Sequence, residues 1–152
     1  MSRVDVNRLW AQAPRKPKRY TEADLYQWEK DFIPRAHWTR NESGFLAVGC
    51  PDTNACERGV EVWVENKIIH GRKVGKVRPS QVAWMTERTQ HGGRCFIFAV
   101  TPDGRTFYLF DGKYAAEVKA LGIDAPALFV RPLPTPSAWE RVHHYLFNWQ
   151  RK

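Results

Sequence analysis

GCPDTNACERGVEVWVENK, residues 49–67, decides how this chain folds and where its chemistry sits. Its second half alternates. Val60, Val62 and Val64 share one face with Asn66, and Glu61, Trp63, Glu65 and Lys67 share the other, because successive side chains of a strand point to opposite sides. Such a strand buries its valines and presents Glu65 and Lys67 together at its far end. Ahead of it, Gly49-Cys50-Pro51-Asp52 opens a short segment, and the polar run 53–59 is expected to turn the chain.

On the C-terminal side, residues 68–79 carry His70, Arg72, Lys73, Lys76 and Arg78 with two glycines and read as a basic loop. Pro79-Ser80 starts a helix reaching about His91, with Ser80 as cap and Gly92-Gly93 as stop. Residues 94–100 form an apolar strand. Thr101-Pro102-Asp103-Gly104 is a turn, and residues 105–110 return as the hairpin partner. A short helix follows over 114–121, then a proline-rich stretch over 125–135. The final helix runs from about Ser137 with Trp139, Val142, Tyr145, Leu146 and Trp149 along one side.

On the N-terminal side, Thr21 caps a helix whose first turn holds Glu22 and Asp24. Leu25, Trp28, Phe32 and Ile33 recur at helical spacing until Pro34. Residues 38–50 read as a connector with a short apolar piece over 45–48. Residues 1–20 form a basic arm, broken by Pro14 and Pro17, either a solvated tail or a DNA-contacting arm. Residues 21–152 form one domain.

A chain of 152 residues fits one core, and 43% hydrophobic content excludes a disordered chain. The formal charge of +8 points to a polyanionic partner, nucleic acid being the commonest. Cys50, Cys56 and Cys95 are too few for a disulfide framework, and the Cys50–Cys56 spacing lacks the zinc pattern. The sequence holds no membrane-spanning apolar run and no signal core, which predicts an intracellular, cytoplasmic protein without a membrane partner.

Hydrolysis of a phosphodiester needs an activated water, neutralised phosphate charge and help for the leaving oxygen. Carboxylates holding Mg²⁺ serve all three. Asp52 and Glu65 supply the carboxylates, and the backbone carbonyl of Asn66 stands on the same strand as a further ligand. Lys67 shares the Glu65 face, where it can orient the water or stabilise the pentavalent phosphorus. The competing reading is a surface strand with an exposed Glu-Lys pair. Arg40, Arg72, Lys73, Lys76 and Arg78 are candidate DNA contacts through phosphate, and His70 lies where it could assist the scissile phosphate. Trp139, Tyr145 and Trp149 could stack bases, but their spacing favours a core or dimer face.

Gly49-Cys50-Pro51-Asp52, the strand ending at Lys67 and Arg78-Pro79-Ser80-Gln81 together resemble the PD-(D/E)xK nuclease superfamily, over roughly residues 40–110. Within it, the chain is similar to small phage-type members akin to the VRR-NUC group and to Holliday-junction-resolving nucleases. The resemblance implies an α/β (α+β) single domain with a restriction-endonuclease-like core, a central mixed sheet flanked by helices, and Mg²⁺ or Mn²⁺ at the acidic pair. It implies that Gln81, on the following helix, approaches the site. It also implies a further acid from the N-terminal part, for which Glu42 is favoured over Glu29. One or two metals remain open.

The function expected is a metal-dependent DNA endonuclease selective for branched DNA such as Holliday junctions. Two cuts imply a homodimer, for which the last helix offers an apolar face. The alternatives are a catalytically inactive nucleic-acid-binding module of the same fold, or a sequence-specific restriction-like nuclease.

Overall fold

The computed structural model describes residues 19–41, 48–132 and 135–150. The favoured acid Glu42, the apolar piece over 45–47 and all but the last two residues of the basic arm lie outside them.

The expected turn over 53–59 is instead a second strand. β2 (Thr53–Glu57) and β3 (Val60–His70) form a hairpin whose partners run from Thr53↔Val64 to Glu57↔Val60. Only Arg58 and Gly59 turn, with φ of 50° and 78°. Positive φ at both central residues is what a two-residue turn matched to strand twist requires. The sequence signal was there: Thr53 to Glu57 is a run of strand length ending in a residue pair with glycine.

Around this hairpin the sheet is ordered β1-β2-β3-β5-β6-β7, with β4 paired to the end of β3. β1 (His37–Arg40) lies in the expected connector, and β4 (Lys73–Val74) in the expected basic loop. That loop is therefore mostly the tip of a second hairpin, because β3 runs on to His70. β5 (Arg94–Val100) and β6 (Thr106–Asp111) stand where the apolar runs predicted them. β7 (Phe129–Pro132) occupies the proline-rich stretch at the sheet edge, where a proline removes no central ladder bond. β3 and β5 are parallel and the other neighbouring pairs are antiparallel, so the sheet is mixed.

Helices cover both faces. α1 (Glu22–Phe32) opens as expected: the Asp24 carboxylate accepts from the Thr21 N–H at 2.8 Å. α1 and α4 (Pro136–His143) pack with Val62, Val64, Phe96, Phe98 and Phe107 on one side. α2 (Pro79–Gln90) and α3 (Ala115–Leu121) pack with Ile69, Cys95, Ile97, Ala99 and Phe110 on the other. The domain is thus a single α+β unit with a seven-stranded mixed sheet and four helices among the described residues.

This layering revises two expectations. The face of β3 with Glu65 and Lys67 is not open to solvent, since they are 1% and 4% exposed beneath α2. Trp139 and Leu146 of the last helical segment are not free for a partner or for bases either, while Tyr145 and Trp149 are half-buried at its edge. Trp139 is 3% exposed and stacks on Phe32 at 4.9 Å, and Leu146 is 1% exposed. The apolar stripe was correct, but it fills the core of its own chain. Arg94 holds the end of this segment by donating to the carbonyls of Tyr145, Leu146 and Trp149.

Candidate active site

The hairpin register builds the acidic pair. One step beyond Thr53↔Val64, Asp52 comes opposite Glu65, and directly opposed residues share a face. The Asp52 backbone N–H donates to Glu65 Oε2 at 3.2 Å. A spacing of thirteen residues in sequence thereby becomes side-by-side carboxyls. Arg40 pairs with Thr53 across β1 and β2, which brings its charge to the same corner.

Glu65 Oε1 is gripped from two directions. Lys67 Nζ lies 3.0 Å away and also donates to the Lys76 carbonyl at 2.9 Å. Gln81 Nε2 donates to the same oxygen at 2.7 Å. The other end of that amide, Oε1, accepts from the Arg78 N–H at 3.0 Å. Arg78, not Ser80, is therefore the residue before the first helical turn, with Pro79 at the first helical position. Both ends of Gln81 are used, so its orientation is fixed.

Burial raises the acids. The Glu65 carboxyl is pushed up to about 7, by burial first and by the Asp52 charge, against the lowering pull of Lys67. Asp52 is raised by burial, opposed by Lys67, Arg40 and Arg78. Two neighbouring acids with raised values mark a functional-site candidate.

Glu29, the alternative to Glu42, lies on the opposite side of β3. It is 2% exposed, and neither carboxyl oxygen has a hydrogen-bond partner. Burial holds its carboxyl well above the ordinary range, and the Asp52 charge adds to this. Asn66 lies beside it, donating to Thr53 Oγ1 at 3.0 Å and leaving its own Oδ1 unpartnered. Exchanging the amide oxygen and nitrogen lets Thr53 donate to Oδ1 and turns Nδ2 toward Glu29. β2 pairing ends at Val64 and β4 pairing begins at Ile69, so, among the described residues, 65–68 have only β5 as a paired strand. Among the described residues the Asn66 main chain therefore has a paired strand on one side alone.

Among the described residues no three His, Cys, Asp or Glu are gathered closely enough to hold a metal by themselves. The oxygen set still fits a hard divalent cation, which keeps several waters and takes one or two carboxylates. Asp52 and Glu65 bring two carboxyls together on one face, the hard oxygen donors such an ion takes.

The basic candidates divide. Arg40 and Arg78 carry their charge to the acids, and Lys76 supplies the carbonyl that holds Lys67. His70 and Lys73 are exposed around the β3–β4 turn. Arg72 is turned away into an ion pair with Asp124.

Two contributors were not read from sequence. Glu22 carries a raised carboxyl, shifted by burial and touched by the charges of Lys67, Asp52, Arg78 and Arg40. Its sequence signal was read only as a helix-start acid. Gly49 has φ of 86°, and a Cβ there would lie 2.0 Å from the Ser80 carbonyl oxygen and 2.9 Å from the Gln81 nitrogen. This close approach packs the Asp52-bearing segment onto the helix turn that carries Gln81. No local pattern announces such a contact.

No family model matches the chain, and no curated protein sequence matches it. Among solved structures, Hjc, a Holliday junction resolvase from the archaeal hyperthermophile Archaeoglobus fulgidus, is similar with a TM-score of 0.45 and 16% identity. The match covers 60% of this chain and 74% of that one. No helix among the described residues is long and apolar enough to cross a membrane.

Proposed function

We propose that this chain is a metal-dependent DNA endonuclease that hydrolyses phosphodiester bonds. The observation that carries the reading is the convergence on Glu65 of Lys67, Gln81 and the Asp52 backbone, with the Asp52 carboxyl on the same face.

Asp52 and Glu65 would hold Mg²⁺ or Mn²⁺, with the Asn66 carbonyl as a further ligand; Glu42 stays the favoured additional acid, and Glu29, buried on the opposite side of β3, the alternative. When bound, the cation supplies a polarised phosphate and a water of lowered pKa. The chain's own groups do the positioning. Gln81 fixes the Glu65 carboxylate through an amide anchored to the helix start. Lys67, held at 2.9 Å by the Lys76 carbonyl, keeps an ammonium beside the reacting phosphate. Arg40 and Arg78 flank the acids and suit flanking phosphates, with Lys76, Lys73 and His70 continuing a basic edge.

The finer reading, selectivity for branched or junction DNA by a homodimer, follows from the sequence resemblance to junction-resolving nucleases. Because the Trp139, Val142 and Leu146 stripe fills the core, a dimer would not be built on that stripe.

The test is a cleavage panel of four-way junction, linear duplex, single-stranded and nicked DNA with Mg²⁺ or Mn²⁺. Asp52→Asn and Glu65→Gln proteins should lose cutting by at least about a hundredfold, as expected for a transition-state group. Undiminished cutting by both variants overturns the assignment. A preference for linear duplex overturns only the junction reading.

A further inference from the structure

The strand and helix that meet at Glu65 and Gln81 stay together beyond the acids. Trp63 precedes Glu65 by two residues on the same face of β3, and Trp84 follows Gln81 by one helical turn on α2. Their rings meet edge to face at 5.5 Å. One turn further, the Arg88 guanidinium lies 4.6 Å over the Trp84 ring. Both tryptophans are half-buried and Arg88 is exposed.

Arg88 is held in place although it is exposed. A Cβ on Gly93 would fall 2.4 Å from Arg88 Cδ and 2.6 Å from Cγ, so the arginine stem lies flat along the Gly93 backbone. The Gly93 N–H also donates to the Arg88 carbonyl at 2.9 Å. Clamped between Gly93 and Trp84, the side chain has less rotamer freedom to lose on binding.

The platform continues along the same strand and the same helix that carry Glu65 and Gln81. Val48, 82% exposed, leads into the Gly49–Asp52 segment. That segment packs on the first turn of the same helix, since a Cβ on Gly49 would fall 2.0 Å from the Ser80 carbonyl oxygen and 2.9 Å from the Gln81 nitrogen. Trp63 stands two residue steps before Glu65 on β3, a distance of about 6.6 Å. That is about two steps along one strand of DNA at 3.4 Å per step.

We propose that Arg88, stacked on Trp84 and backed by Trp63, is a subsite for an unpaired nucleobase one or two nucleotides from the scissile phosphate. A guanidinium seated on an indole offers a planar cationic face on which any base can stack. The subsite favours strands whose bases are splayed out, as at a branch or nick, over intact duplex. The proposal rests on the nuclease reading given above. The alternative is an ordinary surface cation–π pair that only steadies α2.

The full chain is titrated with branched DNA carrying 2-aminopurine one or two positions from the cut, with Ca²⁺ replacing Mg²⁺ to hold off cleavage. Wild type should quench the probe, and Arg88→Gln should abolish the quenching at that position. With Mg²⁺, Arg88→Gln should raise KM about tenfold with kcat within twofold, since base stacking is worth roughly 1–3 kcal/mol. Trp84→Phe keeps a ring under the guanidinium and should keep the quenching, while Trp84→Leu should lose it. Unchanged quenching and KM in Arg88→Gln, or equal quenching with the probe in intact duplex, overturns the subsite. A wild type that quenches without ever cutting supports the subsite and overturns the nuclease reading. A wild type that does neither overturns both.

Discussion

The raised carboxyl of Glu65 makes stability fall with pH in a way that a divalent cation should reverse. Its value moves from 4.5 to about 7, so between these pH values the folded chain keeps a proton that the unfolded chain has released. Stability contributed by this group is therefore full below about 4.5, declines as pH rises, and is lost above about 7. A shift of that size is worth roughly 3 kcal/mol. For a chain of this length that is a fall in Tm of roughly 6–12 °C. Asp52 and Glu29 are raised in the same direction and deepen the trend. Glu65→Gln imitates the protonated side chain, so the variant and wild type should melt together at pH 5. At pH 8 without metal the variant should be the more stable. Because a cation binds the ionised carboxylates, Mn²⁺ should raise the wild-type Tm at pH 8 and hardly at pH 5, and should leave Glu65→Gln nearly unmoved. The assay is thermal unfolding of both proteins across pH 5–8, with and without Mn²⁺. Taking the difference between them removes every contribution the two proteins share. Curves that stay parallel across this range, or a Mn²⁺ effect of equal size at both ends, would refute the reasoning.

Three further outcomes follow from particular contacts. Gly49→Ala forces a Cβ into the Ser80 carbonyl at a positive φ, so it should cost more than about 1 kcal/mol in urea unfolding. It should also weaken Mn²⁺ binding as Gln81 moves, and unchanged calorimetric affinity would show that the close approach does not position the site. Glu29→Gln keeps the shape of a carboxyl that burial already biases toward its protonated form, so stability at pH 7 should change by less than about 1 kcal/mol; cleavage lowered at least tenfold would make Glu29 rather than Glu42 the additional acid, and full activity would exclude it. Trp139→Ala should lower stability by about 3–5 kcal/mol, because the ring is packed between Phe32, Phe98 and Phe107. A loss below about 1 kcal/mol would mean that the α4 face is free for another molecule after all.

The sequence by itself determined the parts that depend on short-range pattern. Period-two alternation from Val60 placed Glu65 and Lys67 on one face, and that relation survives in β3. The helix starts near Thr21 and Pro79 and the 94–110 hairpin were legible because caps, turns and apolar runs act over a few residues. The β2 strand was partly hidden by its polar residues, although its register with β3 is what brings Asp52 to Glu65. Tertiary structure decided the rest. Alternation says which residues share a face, not what covers it, and only the packing of α2 over β3 shows that the Glu65–Lys67 pair is buried and held by Gln81. An apolar helix stripe likewise does not say whose core it fills, and α4 turns its stripe inward. Glu29 is one of several charged residues of α1 in sequence, next to Lys30 and Asp31, and only the crossing of α1 over the sheet buries it beside Asn66. The acidic pair was thus written in strand periodicity and spacing, while its environment, and with it the raised carboxyl values, came from layers that meet only when distant segments fold together.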